Sequence, residues 1–427
     1  LNRRRHNGWW IHAALVASLL LVPACSPSSE PAPAEVTVLP NVVLIVMDTL
    51  RADHLGCYGY ERATSPRVDA FANGATRYTR ALSAAPWTVP SHASMFTGVP
   101  PLVHGAHTFP TEKATRNVNS LDQGWLTLAE ALSAEGYQAG AFVANAGYLA
   151  PRWQLDQGFE TYHVDRVYAE ELNPQVFDWL ERATPPYFLF VNYIDAHRPY
   201  NTKPRPGFLD PPAPGGVELL NRLIEQVLPA TDPVDQDLAG QVIDQYDTAI
   251  ANLDEQVGAL LDRLERDGGA GDTVIVVTSD HGEYFGEHHL VEHSKDIYQE
   301  AIQVPLIVRG VGQKEAATDD TLVVSHDLPA LILAELPDEQ KRKLSALFPN
   351  SPGSHLVIAE NYYTRAKDLN DPVWGRRFQR VRQAVFDWPY KLIHSSDGKH
   401  ELYDLEQDPQ EANNLIDRKP EVAARLA

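Results

Sequence analysis

Along this chain, long apolar runs alternate with stretches whose apolar residues recur every three or four positions. Asn41 to Met47, Tyr187 to Ile194 and Thr273 to Thr278 are nearly unbroken apolar runs, and Val304 to Val308 is a shorter one. Runs of that length without polar alternation suit strands covered on both faces of a parallel sheet. Leu126 to Glu135 is amphipathic. Val242, Ile243, Tyr246, Ile250, Leu253, Val257, Leu260, Leu261 and Leu264 step along one face of a longer helix, which Gly268 and Gly269 end. Strands alternating with helices predict a doubly wound α/β domain. The Pro-rich segment Pro199 to Pro214 reads as a surface excursion. Past Gly353 the pattern shifts to short strands, Leu356 to Glu360, Arg380 to Asp387, Tyr390 to His394 and Glu401 to Leu405, with a turn at Asp397-Gly398. A small antiparallel sheet is expected there.

Polar groups that bind metals stand directly after three of the apolar runs: Asp48, then Asp195 and His197, then Asp280 and His281. Ligands of open α/β sheets bind outside the carboxyl ends of the strands, so these groups are expected to converge on one crevice. A lone carboxylate after a strand is commonly a helix cap, and Asp48 alone fits that role. Three such ends together favour a metal site. Oxygen and imidazole ligands without thiolate point to Mn, Zn, Mg or Ca. The segment from Trp87 to Gly98 reads as a short helix, with Thr88 near its N-cap, Pro90 in its first turn and Gly98 as its stop. The Thr88 hydroxyl has two readings. It is a cap, or it is a nucleophile whose alkoxide a helix N-terminus and an adjacent cation both favour. Ser91 and Ser94 are lesser candidates.

Composition narrows the class further. At 427 residues with 44% hydrophobic and 22% charged positions, the chain is globular and long enough for a large core. Its net charge of −21 argues against a nucleic-acid partner, which requires a basic footprint. Two cysteines, Cys25 and Cys57, give no disulfide framework. Arg3, Arg4 and Arg5 precede the apolar stretch Trp9 to Val22, which is too short to span a bilayer and has the order of a secretory signal. Leu21 to Cys25 resembles a bacterial lipobox, in which the signal is cut before a cysteine that is then acylated, although Val22 and Pro23 depart from its commonest form. A Pro- and Ser-rich tether follows. The expected organisation is a signal peptide over 1–24, a tether over 25–38 with Cys25 lipidated, a catalytic domain over 39–350 and an antiparallel subdomain over 351–427. An exported cell-envelope lipoprotein, attached to the membrane by its lipid anchor alone, is expected. Cys57, beside Gly56, reads as a small structural residue.

Three motifs in order resemble the sulfatases of the alkaline-phosphatase superfamily. They are NVVLIVMDTLRADHLGCYGY from Asn41, TVPSHASMFTG from Thr88 and TSDHGEYFGEH from Thr278, and the C-terminal YKLIHSSDGKHELYDLEQDPQEANNL resembles the family's terminal subdomain. The resemblance implies a large mixed, mostly parallel sheet flanked by helices with a small C-terminal antiparallel sheet. It further implies Asp48, Asp280 and His281 as ligands of one divalent metal, with Thr88 as nucleophile also touching it. His197 matches a histidine that binds the ester or protonates the leaving oxygen, and Lys295 a lysine on the anionic group. Arg51 falls in the family's D-x-x-R stretch, where a buried ion pair is an equal reading.

The departures point in one direction. Sulfatases oxidise a Cys or Ser at the position of Thr88 to formylglycine and carry Arg where His92 stands. Thr cannot be oxidised to that aldehyde, so no formylglycine is expected. Thr49 replaces the second of a pair of aspartates. The remaining set looks more like the Thr-dependent phosphodiesterases and lipoteichoic-acid-synthase-type phosphotransferases of the superfamily. The expected activity is metal-dependent hydrolysis of sulfuric or phosphoric esters, on a small anionic ester or an envelope glycan or lipid. The alternatives are an envelope phospho- or sulfo-group transferase and a non-catalytic anion-binding surface lipoprotein.

Overall fold

The apolar runs become the centre of an eight-stranded sheet in a computed structural model of the protein, which describes residues 39–111, 117–200, 203–208, 216–266, 272–348 and 357–427. The strands are β1 (Asn41–Met47), β2 (Thr76–Leu82), β3 (Gln138–Val143), β4 (Thr161–Val164), β5 (Tyr187–Tyr193), β6 (Thr273–Thr278), the short hairpin β7 (Tyr284–Phe285) and β8 (Val291–Glu292), β9 (Leu306–Arg309) and β10 (Ala317–Val324). Without the hairpin, they are ordered β10-β2-β9-β6-β1-β5-β3-β4. All neighbours are parallel except β9, which runs antiparallel to both β2 and β6. The large mixed, mostly parallel sheet expected from the sequence is thus present.

Strand β1 shows why these runs carry no alternation. Val43, Ile45 and Met47 enter one apolar cluster and Val42, Leu44 and Val46 another on the opposite face. Because side chains alternate across a strand, both faces must be apolar where both are covered. The helix Gln236–Arg266 covers one face with Val242, Tyr246, Ile250, Leu253, Val257, Leu260, Leu261 and Leu264, all buried. Gly268 and Gly269 lie outside the described residues.

Several boundaries move for physical reasons. The run from Val304 forms strand only from Leu306, since Pro305 has no N–H to give a ladder. The amphipathic stretch from Leu126 becomes a helix over Leu128–Ala134, started by a capping box in which Thr127 accepts from the Glu130 amide and Glu130 accepts from the Thr127 amide. Residues 203–208 of the Pro-rich excursion are turn and irregular chain.

The four C-terminal strands are β11 (Val357–Asn361), β12 (Arg382–Asp387), β13 (Tyr390–Ser395) and β14 (Glu401–Asp404), antiparallel in that order. They match the four expected segments to within two residues at each end. Gly398 adopts the positive φ that the Asp397-Gly398 turn requires. Ala384, Phe386 and Ile393 of this sheet share an apolar cluster with Leu82, Ile297 and Ala301 beside the large one.

Candidate active site

Four chain segments meet where β1, β3 and β6 end. Asp48 and Thr49 follow β1, Asn145 follows β3, Asp280 and His281 follow β6, and the helix Thr88–Thr97 presents its first residue to them. Thr49 is a β-branched residue held at φ 62°, a backbone region that such residues seldom adopt. Its amide donates to Asp280 Oδ1 (3.1 Å) and its hydroxyl to the Ala196 carbonyl (2.9 Å). The turn after β1 is thereby fixed by the ends of two other strands.

Each carboxylate has one oxygen held by the protein and one left bare. Asp48 Oδ2 accepts from Asn145 Nδ2 (2.7 Å), and Asp280 Oδ1 accepts from the amides of Thr49 and His281. Asp48 Oδ1 and Asp280 Oδ2 are buried and accept no hydrogen bond from the described residues. His281 Nδ1 lies 3.0 Å from the Gly282 carbonyl and must donate to it, so Nε2 turns a lone pair inward. Nε2 lies 3.3 Å from Asp280 Oδ2 and 4.0 Å from Asp48 Oδ1. Ligand atoms of Asp48, Asp280 and His281 all fall within 4.8 Å of one another. Three buried ligand atoms gathered this closely fit a divalent cation.

Electrostatics agree with that fit. Burial first, then the neighbouring Asp280, pushes the Asp48 carboxyl up to about 8, and burial pushes Asp280 up to about 7. Burial also lowers His281, which keeps it neutral as a ligand must be. A carboxyl whose folded pKa is raised stabilises fully below its unfolded pKa of about 4, and that contribution is lost as pH rises through the folded value. The metal-stripped protein is therefore expected to lose thermal stability between about pH 5 and pH 8. Added Mn²⁺ should raise Tm more at the upper end of that range. Thermal scans with and without chelator check this, and a metal-induced shift that ignores pH would count against the pair as ligands.

Thr88 is not the N-cap. Trp87 occupies that place in extended conformation without a side-chain cap bond, Thr88 is the first helical residue, and Gly98 closes the helix at φ 71°. The Thr88 hydroxyl is free of capping and buried, 3.5 Å from His281 Nε2 and 3.4 Å from Asn145 Nδ2. Ser91 instead donates to the Asp280 carbonyl, and Ser94 pairs with His104. His92 holds the Thr88 carbonyl through Nδ1 (2.9 Å), one turn along.

The other expected residues divide. Asp195 does not join the crevice: both its oxygens accept from the Ala169 amide at the start of the helix Ala169–Leu180, the common fate of a carboxylate after a strand. Arg51, itself buried, takes the ion-pair role of the two readings, with the exposed Asp53 and the partly buried Glu287 as partners. His197 lines an adjoining cleft with its ring 5.1 Å from that of His293. Burial and His293 lower its pKa. Lys295 is buried, 3.0 Å from Glu292 and 3.9 Å from Asp368. Cys57 donates its amide to Asp69, and burial pushes its thiol up to about 12, as suits a structural residue. Cys25 and the expected signal segment over 1–24 lie outside the described residues. Among the described residues no helix is long and apolar enough to cross a membrane.

Sequence reasoning missed Asn145, His293 and Glu283. Asn145 bridges Asp48 and Thr88. His293 stands 4.5 Å from His281, ring to ring, with Nδ1 3.0 Å from Glu283. The segment Ala141 to Asn145, an apolar run ending in a polar residue, carried the same signal as Asp48.

Comparison with known proteins matches this arrangement to one family. The family model described as Sulfatase covers residues 40–336. The chain is 25% identical over 435 residues to the uncharacterized sulfatase YidJ of Escherichia coli (strain K12), a match covering 88% of this chain and 83% of that one. It is also 25% identical over 431 residues to an ulvan-active sulfatase of Formosa agariphila, covering 90% and 78%. Among solved structures, the phosphonate monoester hydrolase of Agrobacterium radiobacter shares the fold at a TM-score of 0.68 and 20% identity, over 91% of this chain and 93% of that one.

Proposed function

The chain belongs to the sulfatase family and is a sulfatase-like ester hydrolase, and on that premise we propose that Thr88 is its nucleophile and that a divalent metal on Asp48, Asp280 and His281 is required. The observation that carries this reading is the Thr88 hydroxyl, which caps nothing and lies 3.5 Å from His281 Nε2, one of the three clustered ligand atoms. A cation held there would supply positive charge that favours the Thr88 alkoxide and balances the non-bridging oxygens of the ester.

The chain's own residues then have distinct tasks. Asn145 holds Asp48 and directs an N–H at Thr88 Oγ1, so its amide favours the oxyanion over the hydroxyl. The N-terminus of the helix Thr88–Thr97 adds its dipole in the same sense. Thr88 Oγ1 forms a bond to sulfur or phosphorus as the bond to the leaving oxygen breaks, which leaves a covalent ester on Thr88 and an alcohol. His197 protonates that leaving oxygen, since an anionic ester in the cleft raises the pKa of the imidazole beside it. Lys295 contributes to the positive field on the anion from its pairing with Glu292. Water completes the cycle.

The relatives' names favour sulfate or phosphonate esters as substrates. The basic, apolar and small order of the leader before Cys25 supports an exported, lipid-anchored protein, and the strand patterns support a catalytic domain over 39–350 with a subdomain over 351–427. The purified protein, assayed with Mn²⁺, Zn²⁺, Ca²⁺ and Mg²⁺ on 4-nitrophenyl sulfate, phosphate, a phosphate diester and a phenylphosphonate monoester, is expected to turn over at least one of them and to lose that turnover with chelator. Binding without turnover on all four would favour the anion-binding reading.

A further inference from the structure

The cleft beside Thr88 is basic in an acidic protein. It holds about 350 Å³, and its thirteen described lining residues include Arg166, Arg198 and Arg365 but no carboxylate. Acidic residues outnumber basic ones 57 to 36 in the whole chain, so that lining is a local reversal of sign. Its inner end is a buried ion network. Glu292 receives Arg198, Arg365 (2.7 Å) and Lys295 (3.0 Å), and Asp368 receives Arg365 (2.9 Å). Three cations on two carboxylates leave one positive charge in excess there, enough for the single anionic group of the ester. Arg166 lies apart from this network. It is exposed, follows β4, and its guanidinium has no hydrogen bond or ion pair among the described residues. It therefore gives the cleft a second positive charge that the reaction at Thr88 does not use.

We propose that Arg166 binds a second anionic group of the substrate, so that preferred substrates carry a carboxylate, sulfate or phosphate in addition to the ester that is cleaved. This rests on the ester-hydrolase reading for the reaction, but it concerns binding by a residue outside the ion network. Arg198 stays paired with Glu292, whereas Arg166 has no such partner and is ordered by the ligand. Tyr148 and Tyr168, also in the lining, provide flat surfaces for whatever scaffold joins the two charges.

The test uses matched sulfated disaccharides that differ only in a free carboxylate or its methyl ester, with the full-length protein and its Arg166→Ala and Arg166→Lys variants. The wild type is expected to prefer the free acid by about fivefold in kcat/KM, the value of one partly exposed ion pair. Raised salt should shrink that preference. Arg166→Ala should abolish it, Arg166→Lys should keep part of it, and all three proteins should hydrolyse a singly charged aryl ester alike. Equal kcat/KM for acid and methyl ester in the wild type, or an undiminished preference in Arg166→Ala, overturns the proposal. If no ester is turned over, the reaction assignment fails instead, and calorimetric affinities of the same pair for wild type and Arg166→Ala still decide the subsite by the same ratio.

Discussion

Thr88→Ala is expected to lower turnover by about 10³-fold or more while metal content and stability stay near those of the wild type. The two halves of that forecast come from different parts of the structure. Loss of activity follows if the covalent ester forms on Oγ1. Near-constant stability follows because Trp87, not Thr88, occupies the N-cap and the Thr88 side chain makes no cap bond, so the cost of roughly 1 kcal/mol that accompanies loss of a cap is absent. Thr88→Ser should retain part of the activity, since it keeps the hydroxyl but loses the methyl that restricts its rotamer. Acid-quenched wild-type enzyme should carry a sulfo or phospho adduct on the peptide containing Thr88. A fully active alanine variant would remove Thr88 from the chemistry. An aldehyde on Ser91 or Ser94 would move the nucleophile along the helix.

Asp280→Asn is expected to abolish tight metal binding and to reduce turnover about as severely, yet to leave the metal-free protein folded. Asparagine rather than alanine is the informative change. Asp280 Oδ1 accepts from two buried amides, those of Thr49 and His281, and truncation to alanine would strand both at a cost of roughly 1–3 kcal/mol each. Asparagine keeps an oxygen acceptor at that place and removes only the charge. Because the Asp48 and Asp280 carboxylates repel across the site, the metal-free variant should be more stable than the metal-free wild type at pH 8 and closer to it at pH 5. Metal analysis and denaturant titration at both pH values check the two claims. Wild-type metal content in Asp280→Asn would show that the ion sits elsewhere.

The parts of this protein that were legible in its sequence share one property: their signal is continuous along the chain. β1, β5 and β6 are buried on both faces, so every position is apolar and the run stands out. β2 was missed because Arg77, Thr79 and Arg80 interrupt it. β3 was missed because it contains Gly140, where any side chain would meet Trp179: a Cβ there would stand 2.5 Å from that ring. Missing β3 also hid Asn145, the polar residue at its end. The proposed metal ligands were readable as polar residues abutting strands, but Asp195 has the same local pattern and caps a helix instead. Only the spatial neighbours of each carboxylate separate those two fates. Glu283 lay within a recognised motif and His293 five residues past its end, and their pairing depends on the short hairpin β7–β8, which two-residue strands do not announce.

Glu292 has a consequence for how this cleft can change over generations. One carboxylate restrains Arg198, Lys295 and Arg365 together, and it sits at a backbone φ of 63°. Buried cations that lose their common partner are costly one by one, so substitutions at these four positions are strongly coupled. An altered Glu292 is tolerable only after its cations have been reduced, and a lost cation shifts the balance felt by the other two. Lineages that take up a differently charged ester should therefore change this quartet as a block, while Arg166, outside it, remains free to vary one residue at a time.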